Sequence, residues 1–242
     1  MRTRWGVTML LIAVTAVLLC ACGSRNERIK TAELLLEEKY GEDFTVTSYE
    51  GQEMMADYYS VSAYAKSHPK LPFEANVSED GTSVSDDYVS RRVCEAISDQ
   101  VAANITVLPC KYYVHTGIMS GESVCSDPNI SIEEFATKWE PNNRYYVYLY
   151  ISKEIEHVDS SSEIIYNALK EALKGIPEIS GTMSVYISND SVIEKVHVYV
   201  TTNTGLYNDY FEIAQDDYRG QFEFDDGFII FTQQDAETVL AR

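Results

Sequence analysis

Arg144-Tyr145-Tyr146-Val147-Tyr148-Leu149-Tyr150-Ile151-Ser152 is the stretch on which the fold turns. Successive side chains point to opposite faces of a strand. Val147, Leu149 and Ile151 therefore share one face, and Tyr146, Tyr148 and Tyr150 line the other. Helix signals flank the strand on both sides. Ser131-Ile132-Glu133-Glu134 is a capping box for a short helix bearing Ile132, Phe135 and Trp139, and Pro141-Asn142-Asn143 turns the chain into the strand. A second box, Ser160-Ser161-Ser162-Glu163, opens a helix with Ile165, Ala168, Leu169, Ala172 and Leu173 on one face, closed by Gly175 and Pro177.

Toward the C-terminus, Thr182–Ser188 and Val192–Thr201 read as strands joined by the two-residue turn Asn189-Asp190. That register sets Ile187 opposite Val192 and Met183 opposite Val196. It puts Val185, Ile187, Val196, Val198 and Val200 on a core face, with Tyr186, His197 and Tyr199 on the other. Phe222 and Phe224 lead through Asp226-Gly227 to Ile229 and Phe231. Toward the N-terminus, Ile29, Ala32, Leu35, Leu36 and Tyr40 recur at helical spacing before Gly41. Strands follow over Glu42–Glu50 (Phe44, Val46 and Ser48 alternating), Asp57–Lys66 and the segment of Phe73, Ala75 and Val77, which ends at Asp80-Gly81. A long helix from Ser85 carries Val89, Val93, Ile97, Val101 and Ile105, and Cys110–Thr116 is a further strand.

The pattern predicts an α+β fold, helices packed on antiparallel sheets, in two similar-sized subdomains. Their expected spans are 29–118 and 131–242, joined by a linker over 119–130.

The chain has 242 residues, 38 Asp+Glu against 19 Lys+Arg, and a formal charge of −19. With 45% hydrophobic and 24% charged residues it has an ordinary globular composition. Its acidity argues against nucleic-acid partners, because phosphate affinity is built from Lys and Arg.

The N-terminal segment has Arg2 and Arg4 before an apolar run, Val7–Leu19, of thirteen residues. That suits a signal-peptide core, whereas a membrane span takes about 20 residues. The run ends Leu19-Cys20-Ala21-Cys22-Gly23-Ser24 and resembles the lipobox of bacterial lipoproteins, with Leu19 at −3, Ala21 at −1 and Cys22 as the modified residue. The resemblance implies a signal peptide over 1–21, diacylglyceryl attachment at Cys22 and a tether over 22–28. The bilayer would then be a partner through the acylated Cys22, on the extracytoplasmic face of the cell membrane. Each buried acyl methylene contributes roughly 0.8 kcal/mol. Loss of the two arginines takes the charge from −19 to −21. The segments Leu36–Phe44 and Pro69–Tyr88 are similar to those of small Gram-positive surface lipoproteins, which transfer no catalytic motif, and the helix-on-sheet plan is similar to cystatin-like and PepSY-like modules.

Outside the cytoplasm a disulfide is permitted. About twelve helical residues, roughly 18 Å, separate Cys94 from the end of its helix, which disfavours a Cys94–Cys110 pair. Cys110–Cys125 is the favoured bridge and Cys94–Cys125 the next, with three reduced thiols as the alternative. The histidines at 68, 115, 157 and 197 form no metal or hydrolase motif, and no motif asks for a cofactor. A Cys94/His115 nucleophile pair and a Glu154/Glu156 carboxylate pair on one strand face are arithmetically available, but chance placement explains both. The acidic turns at Glu79-Asp80-Gly81, Asp216-Asp217 and Asp225-Asp226-Gly227 lack EF-hand periodicity and read as turn chemistry.

Tyrosine is the informative excess, at 18 against 8 Phe and 2 Trp. If both strand pairs share a sheet, Tyr146, Tyr148, Tyr150, Tyr186, His197 and Tyr199 form an aromatic platform suited to peptides or sugars. The expected function is a non-enzymatic, membrane-anchored lipoprotein that binds a protein, peptide or cell-wall component. The alternatives are a PepSY- or cystatin-like inhibitor or chaperone of a surface enzyme, and an envelope hydrolase without a recognisable motif.

Overall fold

The computed structural model describes residues 25–52, 56–119, 124–176, 178–202, 218–226, 228–230, 232, 234–235 and 237–238. Cys22 and the whole lipobox lie outside them, as do Asp216, Asp217 and Phe231. The fold is α+β, with a four-stranded and a five-stranded sheet, each mostly antiparallel.

The first sheet runs β1 (Phe44–Gln52), β2 (Tyr58–Ala65), β3 (Phe73–Ser78) and β4 (Val84–Asp86), in that spatial order. Helix α1, over 25–40, buries Ala32 and Leu36. Its Arg28 donates to the Tyr49 hydroxyl at 2.8 Å, and Tyr59 Oη donates to the Arg28 carbonyl at 3.0 Å. Gly41 ends the helix in the left-handed region, φ 72°, its N–H bonded to the Glu37 carbonyl. Tyr59, Val61, Ala63 and Ala65 are buried, as the alternation predicts. The pattern on β1 breaks where register shifts follow Val46 and Tyr49, so that Tyr49 rather than Ser48 falls in step with Val61. The backbone N–H of Val46 is taken by the Glu33 carboxylate at 3.1 Å, which occupies part of that strand's outer edge.

The second sheet has the order β5 (Tyr112–Ile118), β6 (Arg144–Ser152), β7 (Ser180–Ser188), β8 (Tyr218–Asp225), β9 (Phe228–Ile229). Helix α2 (Tyr88–Asn104) precedes β5, and α3 (Ile132–Glu134) continues into a π-turn over Phe135–Trp139. Helix α4 (Ser161–Ala172) crosses over between β6 and β7, which pair in parallel, and α5 (Asp190–Thr202) follows β7. The Ser131 side chain accepts from Glu134 N–H, the expected cap, whereas Ser160 (φ 61°) makes no side-chain cap bond. Val147, Leu149, Ile151, Met183, Val185 and Ile187 are fully buried, as are Ile97 and Val101 of α2 and Ala168 and Leu169 of α4.

Two expectations are corrected. The chain divides into units composed of residues up to Pro69 with Glu74–Ser85, and of Lys70–Phe73 with Asp86 onward. The boundary is thus at Ser85/Asp86 rather than in 119–130, because α2 packs on β5, its neighbour in the second sheet. The Asn189-Asp190 hairpin is a helix start instead. The N–H groups of Val192 and Ile193 both bond the Asn189 carbonyl, and β7 pairs with β8, setting Met183 opposite Phe222.

Candidate functional site

The β6 alternation places Tyr146, Tyr148 and Tyr150 on one face, joined by Tyr113 and His115 of β5 and Tyr186 of β7. The sheet thus brings four of the six expected platform residues together. Tyr150 stacks on Tyr186 at 4.8 Å, Tyr148 lies 6.4 Å from Tyr186, and His115 stacks on Tyr148 at 6.1 Å. Helix α5 covers this face with Ile193 and Val196. Tyr148, Tyr150 and Tyr186 are consequently buried and Tyr146 half-buried, so the platform is an interior layer rather than a recognition surface. His197 and Tyr199 belong to the covering helix: His197 is exposed and Tyr199 half-buried. The cause is helix α5, which takes the place of the expected hairpin strand and roofs the sheet instead of widening it.

Where that roof meets the edge of the sheet there is an open groove of about 380 Å³. Its strand wall is Lys111, Tyr112 and Tyr113; its helix wall is Ile193, Glu194, His197 and Val198. His197 meets the Tyr113 ring edge-on at 4.7 Å, and Lys111 pairs with Glu194 across one end. Val198 is 57% exposed, an apolar side chain turned to solvent at the mouth. Tyr112 Oη lies 2.9 Å from the carbonyls of both Ala102 and Ile105 and shares its one proton between them, which ties β5 to the end of α2 and fixes the strand wall.

Sequence reasoning missed Lys111, Tyr113, Ile193 and Glu194 as neighbours. One signal was present: Ser191-Val192-Ile193-Glu194 has the same Ser-x-x-Glu spacing as the boxes before α3 and α4.

The expected disulfide is not formed: Cys94, Cys110 and Cys125 are all unbridged. Burial pushes the Cys94 thiol up to about 12, only partly offset by Arg91, so it does not supply a thiolate. His115 projects to the α5 side of β5, whereas the neighbouring Thr116 bonds Ser98 of α2, so Cys94 and His115 do not form a pair. Burial, aided by Arg91, lowers the His115 pKa to about 3. Glu154 and Glu156 sit in the short 3₁₀ turn Lys153–His157 rather than on a strand, and Glu156 pairs with Arg219 at 3.4 Å. Asp80 accepts from Ser78 and Thr82 and stabilises its own turn. Among the described residues no cluster of His, Cys, Asp and Glu has the makings of a metal site, and no helix is long and apolar enough to cross a membrane.

No family model and no curated protein matches the chain. Among solved structures it is similar to a DUF5037 family protein from Ruminococcus gnavus, at 15% identity and a TM-score of 0.64, covering 88% of this chain and 98% of that one. At that identity the likeness concerns the fold.

Proposed function

We propose that the chain is a lipid-anchored extracytoplasmic binding protein without catalytic activity, which recognises a protein, peptide or cell-wall component. The single observation that carries the binding reading is the groove between β5 and α5, an open apolar recess with an exposed Val198 and polar groups at its rim. The anchoring rests on Leu19-Cys20-Ala21-Cys22. The large negative charge suits a chain held in solvent away from an anionic bilayer.

Two measurements test these parts separately. Metabolic labelling with an alkyne-bearing palmitate should mark the wild type and not Cys22→Ala; equal labelling of both would remove the anchor. A photo-crosslinking side chain at position 198 should capture a saturable partner in cells that one at Leu34 does not. Capture at neither position would remove the groove as a binding site.

A narrower second reading is a chaperone-like or inhibitory partner of a surface enzyme; the position of β5 as an end strand of its sheet among the described residues favours it.

A further inference from the structure

We infer that the first sheet binds an uncharged polysaccharide chain on the face turned away from α1, with Tyr58 and Tyr64 stacking on its sugar rings. The site lies wholly within the first unit and does not depend on the β5–α5 groove.

The strand register assigns the face. Tyr59, Val61, Ala63 and Ala65 are buried on the α1 side, where Tyr59 reaches the Arg28 carbonyl, so Tyr58, Ser60, Ser62 and Tyr64 share the opposite side. On β1, Thr45 pairs with Tyr64, Ser48 with Ser62 and Gly51 with Ser60, while Thr47 and Glu50 are the extra residues of the two bulges. On β3, Phe73, Ala75 and Val77 are buried and Glu74, Asn76 and Ser78 alternate with them. The Ser60–Asn76 hydrogen bond puts that second set on the Tyr58 side.

The composition of this face is unlike that of the chain as a whole. In a protein of formal charge −19, Glu74 is the one ionised residue that the register places there. None of these residues is aliphatic, so the face lacks the apolar centre that protein partners bury. Anionic polymers are disfavoured by the field of the chain itself.

What remains is a set of hydroxyls, one amide and two aromatic rings, and these groups suit a neutral sugar. Ser60 Oγ donates to Asn76 Oδ1 at 2.6 Å, and Ser48 Oγ donates to Ser62 Oγ at 2.9 Å. Ser48 and Ser60 have thus committed their protons and keep lone pairs for a sugar hydroxyl. Tyr58 is 39% exposed and Tyr64 half-buried; Ser62 is the buried floor between them. Among the described residues neither tyrosine hydroxyl has a partner and neither ring meets another. Each therefore offers a flat apolar surface to the C–H face of a pyranose and a polar tip to its rim. Six residues along β2 separate the two rings by about 20 Å, so the ligand is a chain of several sugars rather than a single one.

The test titrates the full chain in lipid nanodiscs with hexamers of N-acetylglucosamine, glucose and mannose, and with hyaluronate and polygalacturonate of matched length. A neutral hexamer should bind, its trimer more weakly, and the two acidic oligomers not at all. Tyr58→Ala should weaken the hexamer about tenfold with an unchanged melting temperature, and Tyr58→Trp should retain it. Tyr64→Ala should weaken it as well, and Val198→Glu should bind as wild type. The inference is overturned if no neutral hexamer binds, if an acidic oligomer binds as tightly, or if Tyr58→Ala binds as wild type. It is equally overturned if Val198→Glu abolishes binding, since the sugar then lies in the groove. A partner crosslinked at position 198 while no hexamer binds sinks the sugar face and leaves the groove reading intact.

Discussion

Gly181 stands beside Tyr145 in the parallel β6–β7 ladder with no room for a side chain. A methyl group at 181 would fall within 2.7 Å of the Tyr145 carbonyl carbon and 2.8 Å of its nitrogen. Backbone atoms in the centre of a sheet do not move aside cheaply. Gly181→Ala should therefore cost about 3 kcal/mol, read as a lowered denaturant midpoint at unchanged slope. A loss below about 1 kcal/mol would mean that β6 and β7 part readily at this point of the ladder.

The Tyr145 hydroxyl is buried and has no hydrogen-bond partner among the described residues, and burial pushes its pKa upward. An unmet hydroxyl keeps its desolvation cost, so Tyr145→Phe should be neutral or stabilising by up to roughly 1 kcal/mol. Tyr112→Phe provides the contrast. It removes the bonds to Ala102 and Ile105 and should destabilise by about 1 kcal/mol. Equal effects in the two variants would contradict the assignment of partners.

His115 takes up a proton in the unfolded chain near pH 6.5, but in the fold only near pH 3. Between those values the unfolded state holds more protons. Stability is therefore full above about pH 6.5 and falls as the pH drops, by roughly 1.4 kcal/mol per pH unit well inside the window. Urea titrations from pH 7 to pH 4 should show this slope reduced in His115→Gln. An unchanged slope in that variant would assign the acid sensitivity to the carboxylates.

Helix α5 contains Val192, Ile193, Val196, Val198, Val200, Thr201 and Thr202, a composition that favours strands. At the exposed position 198, alanine is the better helix former and valine the better strand former. Val198→Ala should stabilise the protein by about 0.5 kcal/mol if the segment is helical. Destabilisation of similar size would restore the hairpin.

The thiols give a simple chemical check. Alkylation without reductant should leave Cys94 and Cys125 untouched in the native protein and reach Cys94, Cys110 and Cys125 after unfolding. A mass gain that appears only after reduction would re-establish a bridge.

What was legible in the sequence follows from which forces act locally. The apolar stripe Val89–Ile105, the alternation of β6 and the Gly41 stop are set by periodicity and backbone sterics, and all three stand where the pattern put them. The α5 segment was not legible in that way. Its valines satisfy both a two-residue and a near-four-residue repeat, and only the aromatic face it must cover decides between them. The buried platform failed for the same reason, since its burial depends on that helix. The groove depends on how β5, joined to its sheet by non-local pairing, meets a helix more than seventy residues later, a relation no local pattern carries. The parallel β6–β7 pair likewise requires knowing that α4 crosses over instead of reversing the chain.

The Glu33 carboxylate on the Val46 N–H has a consequence for how copies of this chain can associate. Linear polymerisation needs two reactive ends on each monomer. A strand edge whose donor is already engaged by the chain's own side chain is a spent end, and the register breaks in β1 spoil it further as a template. The outer edge of β1 is thereby a poor template for a strand from a second copy, and end-to-end growth through that edge is disfavoured.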